Sequence, residues 1–572
     1  MAEKKLLKKA EAHAHAGRTK EAERICNSIL KKNPAHQEAM FLLSGLMLLE
    51  KKYKACEPLL RKVLAANPNH ISAMNNLGIV YREYHKDLEA ARALFEKVVA
   101  GNPGHFRALM NLGNIYSDYG QYEQSEHYYK KALEVNPGAK ENAVFLTHLG
   151  NICYRKKDYD GAISYFKQGL AQDPGNTDIL RNFILARYGQ GDRLALMSMV
   201  KEVAALPDLG RACFPVFSVA RRNCFWAVSE KTAPKAVALA LQGIADYAAL
   251  EMSNLDFLAV KGLSYADLLE IHRITGRMLE SKRMRAPYVS HEKAFENRSK
   301  LKIGYLSGDF RAHVINTFVR GLFNFHDRDR FELYCYSSTE IEDNITKQYR
   351  EAADVFLDVG EMSNHEIAQK IHEDGIHLLV NIAGYTKDSR MEVMAYRAAP
   401  VQIMYLGYPY TSGLSTVDYF ISDPYLDGPE NAQYFAEKQL RLPECFATFE
   451  RLNDRKMTGP PFKAHGHITF GSLVNPYKLG PDVVRVWSEI MRELPDSRIM
   501  LNHPKYGFDQ MQRNILDEFN RHGIEDARVD IVFERHPSSF HLRYYNAMDI
   551  ALDTFPLTGG TTTHEALWMG VP

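Results

Sequence analysis

The sequence predicts an α + α/β chain: an N-terminal helical superhelix of short repeats, then a two-lobed α/β region whose second lobe is incomplete. Three observations predict it. Asn-Pro or Asp-Pro returns at a nearly fixed interval, with Pro34, Pro68, Pro103, Pro137 and Pro174 spaced 34, 35, 34 and 37 residues apart. From Lys300 onward, short β-rich runs alternate with helix-like stretches. Near the end, a Gly/Thr-rich loop lies between an apolar strand and a short helix.

The 572 residues are 45% hydrophobic and 25% charged, which excludes a wholly disordered, collagen-like or disulfide-scaffold chain. A net charge of +1 gives no global field for nucleic acid. The seven cysteines form no CxxC pair and are odd in number, which points to reduced thiols and a cytoplasmic protein. The basic N-terminus never runs apolar for long, so no signal peptide is expected. The longest apolar stretch, near Phe41–Leu49, falls short of the ~20 residues of a membrane helix.

A period near 34 with a closing proline is the signature of the tetratricopeptide helix pair. Internal positions agree: Leu77, Gly78, Ala91 and Phe95 in one unit; Leu112, Gly113, Tyr129 and Ala132 in the next; Leu149, Gly150, Ala162 and Phe166 in another. Small residues let the helices approach, aromatics fill the gap, and proline ends the second helix. Five repeats span about 3–176, and a degraded sixth extends the array to 192, giving a domain 1–192. Such a stack has a concave groove. Asn75, Asn76, Asn111, Asn114 and Asn151 recur on its first helices, where amides can bond an extended polypeptide of any sequence. A protein or peptide is the expected partner, with no nucleic acid or membrane, and oligomerisation is left open.

Residues 193–297 are helical without the repeat and read as a connecting segment. The first α/β lobe, 298–450, has strands in SKLKIGYLSGDF, FELYCYS, HLLVNI and VQIMYLGY. A polar linker, 451–465, leads to a second lobe, 466–572, with strands in HITFGSL, SRIMLNH, RVDIVFE and MDIALDTF. Two doubly wound units in series place a ligand cleft at the C-terminal ends of their strands. Neither GxGxxG nor GxxxxGK[ST] occurs, which argues against a dinucleotide enzyme or a P-loop NTPase. In MDIALDTFPLTGGTTTHEALWMGVP, the strand Ile550–Leu552 leads to a loop Thr558–Thr563 and a helix beginning near His564. Unpaired N–H groups and hydroxyls there suit a phosphate, and Glu565 could accept from a ribose hydroxyl. No metal site is expected: Asp327 and Asp329 read as a turn, and His13, His15, His465 and His467 as surface residues.

With this architecture, KIGYLSGDFRAH, DGIHLLVNIAGYTKDSR, RAAPVQIMYLGYP and LDTFPLTGGTTTHEALWMGVP resemble the O-GlcNAc transferase/SPINDLY family, in family order. The resemblance implies a GT-B fold of two Rossmann-like lobes. It also implies transfer of a sugar from a nucleotide diphosphate to Ser or Thr of proteins, with no metal and no cofactor beyond the donor, UDP-GlcNAc in first place. Carried over by position, His313 is the active-site histidine and Lys478 the lysine that neutralises the leaving diphosphate. Asn475 faces the phosphates, and His541 and Arg543 hold the base. Thr561 and Thr562 bind the diphosphate, and Glu565 takes the ribose.

Departures are Val314, where proline is common, and Tyr410, where the family has glycine; a phenol at that position is expected to add bulk beside the donor site. The short linker suggests a bacterial-type architecture, and the second lobe reads as truncated, with Leu567 and Trp568 partly uncovered. Two alternatives stay open: a fucosyl- or hexosyltransferase of the same fold, as SPINDLY-like members use GDP-fucose, and a repeat adaptor with an inactive transferase region.

Overall fold

The computed structural model describes residues 2–135, 142–244, 254–283, 287–288, 299–386, 389–450, 457–533 and 541–572. The chain forms two compact units, Met1–Gly191 and Asp192–Pro572.

The first unit is a run of antiparallel helix pairs: Ala2–His15 with Thr19–Lys32, Gln37–Leu49 with Tyr53–Ala66, Ile71–Val80 with Leu88–Gly101, Phe106–Asp118 with Tyr122–Val135, and Asn142–Arg155 with Tyr159–Gln172. Thr177–Gln190 follows as the first helix of a sixth. The expected interlock of glycine and aromatic is observed. A Cβ at Gly78 would lie 2.7 Å from the Phe95 ring, and one at Gly113 2.8 Å from Tyr129. Phe95 and Tyr129 are buried, so neither ring can retreat into solvent.

The recurring Asn-Pro has a fuller explanation than helix termination. Asn33, Asn67 and Asn102 side chains accept from the N–H two residues on, closing the turn. The histidine two residues after each proline then caps the next helix. Nδ1 of His36, His70 and His105 accepts from the N–H of Ala39, Ala73 and Ala108 at 3.4, 3.2 and 3.2 Å. Asn176 does the same work after Pro174, accepting from Asp178 and Ile179. Pro137 lies outside the described residues. The 35-residue interval from Pro68 to Pro103 also has a physical cause: a π turn, Tyr81–His85, absorbs the extra residue before left-handed Lys86.

In the second unit, the helices Arg193–Ala204, Cys213–Arg222, Trp226–Leu241 and Tyr265–Ser281 precede two sheets. The first has seven parallel strands: β1 (Leu301–Ser307), β2 (Phe331–Ser337), β3 (Val355–Asp358), β4 (Leu378–Asn381), β5 (Val401–Met404), β6 (Tyr419–Ser422) and β7 (Lys438–Arg441). Their order is β3-β2-β1-β4-β5-β6-β7. The second sheet, order β10-β9-β8-β11, is parallel too: β8 (Thr469–Ser472), β9 (Arg498–Asn502), β10 (Val529–Val532) and β11 (Ile550–Ala551). Among the first lobe's strands, β3, β6 and β7 were not read from sequence. They are four residues each and hold at most three apolar residues in a row, too short a run to mark a strand by itself. Val319, Phe323, Leu333 and Val380 fill one core, and Leu473, Met500, Tyr545 and Ala566 the other.

The helical segment does more than connect. His272, fully buried, donates from Nδ1 to the Leu268 carbonyl and accepts at Nε2 from the Tyr408 hydroxyl, both at 2.7 Å. Burial lowers its pKa to about 4. Gly276 faces Gly413 so closely that a Cβ on either would strike the opposite backbone, and Gly413 has φ +71°. Tyr410 belongs to this seam. Its ring is 6% exposed, packs on His272 and Phe435, and donates to the Tyr265 carbonyl at 3.2 Å. The helix Tyr265–Ser281 thus takes up the phenol hydroxyl and fixes where the ring stands.

Candidate functional site at the two switch points

In each sheet the strand order reverses once, between β1 and β4 and between β8 and β11. A crevice opens outside the C-terminal ends of strands at such a point, because the flanking crossovers depart in opposite directions. His313 follows β1, Asn475 and Lys478 follow β8, and the Gly/Thr stretch follows β11.

The second-lobe elements touch directly. Lys478 ends a short 3₁₀ turn, Pro476–Lys478, and its Nζ donates to the Thr558 carbonyl at 2.5 Å. Burial lowers its pKa, and nearby Asp553 opposes the shift. Asp553 ties the loop: its Oδ1 accepts from the N–H of Gly559 at 2.6 Å, and its Oδ2 from the Thr563 hydroxyl at 3.3 Å. The helix begins at Thr561, three residues earlier than the sequence suggested, and runs to Trp568. The threonines are thus its first turn rather than a preceding loop; the Thr563 N–H donates to the Gly560 carbonyl at 3.1 Å, and those of Thr561 and Thr562 are among the donors a helix start leaves without an intrahelical partner. Gly560 at the cap position has no side chain to occupy those donors.

Glu565 consequently lies in the second turn, 7% exposed, beside the Tyr545 hydroxyl at 3.1 Å. Asn475 Oδ1 accepts from Lys505 Nζ at 3.4 Å. Burial lowers the Lys505 pKa to about 8, with Arg222 and Arg193 adding to the fall. Sequence reasoning missed Lys505; its signal was a lysine three residues beyond the end of a parallel strand. Arg543 donates to the Tyr544 hydroxyl at 2.8 Å. The side chain of His541 lies outside the described residues.

His313 sits in the loop after β1. Its Nδ1 is 3.4 Å from the Ile315 N–H and 3.6 Å from Asp309 Oδ1. Burial lowers its pKa despite Asp309, which favours the neutral ring at pH 7. Val314 is 57% exposed. The helix that follows, Asn316–Phe325, carries Phe318 to within 5.2 Å of the His564 ring on the Gly/Thr helix, and Phe449 stacks on the same ring at 5.6 Å. The two lobes therefore meet where Phe318 and Phe449 pack on His564 of the Gly/Thr helix.

The five repeat asparagines are placed differently. Asn111 donates to Asn75 across two repeats at 3.4 Å, and both are nearly buried. Asn75 in turn donates to Asn76. Asn114 accepts from the Tyr129 hydroxyl at 2.5 Å. Asn151 accepts at 2.9 Å from Asn182, which was not anticipated. Much of this ladder's capacity is spent within the array. His148, two residues before Gly150 as Asn76 and Asn111 are before Gly78 and Gly113, stacks on Tyr129 at 4.9 Å and interrupts it. Asp327 caps its own turn by accepting from Asp329 N–H. Among the described residues, no group of three metal-ligating side chains is found, and no helix is long and apolar enough to cross a membrane.

The model of glycosyl transferase family 41 matches residues 278–457 and 451–572. The chain belongs to that family. Tetratricopeptide repeat models match 13–77, 70–101, 106–138 and 143–176. The family 41 chain is 34% identical over 310 residues to the probable UDP-N-acetylglucosamine–peptide N-acetylglucosaminyltransferase SPINDLY of Arabidopsis thaliana, covering 53% of this chain and 34% of that one. It is 30% identical to the probable transferase SEC of the same plant, covering 48% and 29%. The match thus spans about a third of these curated relatives' length. An O-GlcNAc transferase mutant from Thermobaculum terrenum superposes with a TM-score of 0.52 at 22% identity, over 88% of this chain and 81% of that one. That likeness supports the fold: helical repeats followed by two GT-B lobes.

Proposed function

We propose that the chain is a protein O-glycosyltransferase that moves N-acetylglucosamine from UDP-GlcNAc to Ser or Thr of a polypeptide gathered by the repeat array. The observation that carries this reading is the join of Lys478 to the turn before the Thr561–Trp568 helix, at the switch point of a parallel sheet. Sugar transfer builds negative charge on a departing diphosphate. A lysine ammonium and the N–H groups of Thr561 and Thr562 at a helix start stabilise that charge where it develops. Glu565 and Asn475 shape the donor side, with Arg543 and His541 toward the base. His313, neutral and in the facing lobe, is suited to orient or relieve the acceptor hydroxyl of its proton. The likeness to probable UDP-N-acetylglucosamine–peptide N-acetylglucosaminyltransferases supports UDP-GlcNAc as donor.

The test is a donor panel. Thermal shift and transfer to a Ser/Thr-rich protein are measured with UDP-GlcNAc, UDP-glucose and GDP-fucose. UDP-GlcNAc is expected to stabilise the chain by RT ln(1 + [L]/Kd) and to label the acceptor. Labelling by GDP-fucose alone would transfer the reading to fucosyl transfer. Stabilisation by none of them would favour an adaptor.

A further inference from the structure

A cavity of about 780 Å³ lies between the helical segment, the loop after β5 and the second lobe. Its volume is in the range of a pocket for a drug-sized ligand, larger than a single sugar requires. Much of its wall is apolar, with Phe217, Ala233, Leu258 and Leu263 from the helical segment. On another side stand Tyr410 and Leu557. Leu557 immediately precedes Thr558, whose carbonyl takes Lys478, so an occupant lies against the outer wall of the donor loop.

The charges around it are unequal. Lys261 is paired with Asp482 at 2.9 Å, and Arg485 with Glu489 at 2.6 Å. Glu230 is on the exposed rim, its carboxyl pushed up by burial and by Asp482 and Glu518. Arg221, at the end of the helix Cys213–Arg222, differs from the other cations. Its Nε is buried with no hydrogen-bond partner, and its guanidinium makes no hydrogen bond or ion pair among the described residues. Asp256, close enough to act on it, is already held by Arg222 at 3.1 Å and by the Ser218 hydroxyl. A guanidinium whose buried Nε has no partner is expensive for a fold to keep. Burial also lowers its pKa, so an anion would restore what burial costs.

We propose that this cavity is an acceptor-side subsite that receives an acidic side chain of the substrate polypeptide, with Arg221 as its charged contact. The inference rests on the protein glycosyltransferase reading above. On that reading the donor's diphosphate is matched by Lys478 and the Thr561 helix start, whereas a polypeptide beside the transferred sugar has, among the described residues, no other unpaired cation on this wall. A guanidinium and a carboxylate also fit in a two-point contact.

The experiment uses the full chain and peptides with one Ser, in which each flanking position is Asp, Asn or Lys. Wild type is expected to favour Asp over Asn at one position by about 10–100-fold in kcat/KM, carried by KM, as for a hydrogen bond to a charged group. Arg221→Gln and Arg221→Met should erase the preference and Arg221→Lys keep part of it, with UDP affinity by calorimetry unchanged. Two substitutions of different polarity separate lost charge from lost packing, and each is checked by its melting curve. Equal use of Asp and Asn peptides by wild type, or a preference that survives Arg221→Gln, overturns the proposal. So does a fall in UDP affinity, which would assign Arg221 to the donor. If no donor supports transfer, fluorescence anisotropy of the same peptides still decides. Arg221-dependent binding of the Asp peptide would keep the subsite while refuting glycosyl transfer, and no such binding would overturn the subsite.

Discussion

Replacing Lys478 with alanine removes one ammonium and one hydrogen bond, to the Thr558 carbonyl at 2.5 Å. The two losses separate by size. Thr558 is exposed, so water can take over its carbonyl, and the cost in stability is about 1 kcal/mol. Under the proposed function the charge faces a leaving group, in surroundings that burial has made less polar, as the lowered lysine pKa reports. Loss of one such preorganised contact slows chemistry by about 10²–10³, or about 3–4 kcal/mol of transition-state stabilisation. The expected pattern is thus a nearly unchanged melting curve with kcat down at least a hundredfold. Lys478→Arg should recover little, because the planar fork is longer and cannot reach the same point. Transfer of labelled sugar under saturating donor and acceptor reads kcat, and calorimetric melting reads the fold. Wild-type turnover in a folded Lys478→Ala protein would refute the role assigned here.

Other outcomes follow from the same structure. His272 has a pKa of about 4 against an ordinary 6.5, so its neutral ring contributes stability above pH 6.5 that is lost as pH falls through 4. The full contribution is about 3 kcal/mol, and urea midpoints between pH 7 and 4 should fall less steeply in His272→Gln. Gly150→Ala would drive a methyl into the buried Phe166 ring, and a loss of about 1–3 kcal/mol is expected in chemical denaturation. Asp553→Ala should loosen the loop that presents Thr558, weakening UDP binding measured by calorimetry more than overall stability. Removing residues 1–191, a compact unit of its own, should raise KM for protein acceptors while leaving donor affinity intact. An unchanged KM would assign the groove another partner.

The sequence by itself determined the repeats and the α/β character of the region after them, because both rest on local chemistry. Proline spacing, Gly78 against Phe95 and Gly113 against Tyr129 act within one repeat, so their period is visible in one dimension. The positions proposed for the site were legible for a related reason: Lys478 and Thr561 each follow a strand of the second sheet, on the side where a parallel sheet puts ligands. The histidine caps were equally local and were missed only because dispersed histidines were not set against the proline period.

Other features needed the tertiary structure because they depend on partners far away in the chain. The join of Lys478 to Thr558 spans eighty residues, and that of His272 to Tyr408 spans 136. The amides of Asn75 and Asn111 look alike in sequence whether they face a substrate or each other; the packing of neighbouring repeats decided that they bond together. Arg221 looks like its neighbour Arg222, and only the position of Asp256 decided which of the two is paired. A local pattern can specify an element and its ends. Which buried charge is left without a counterpart is set by how the elements close on one another.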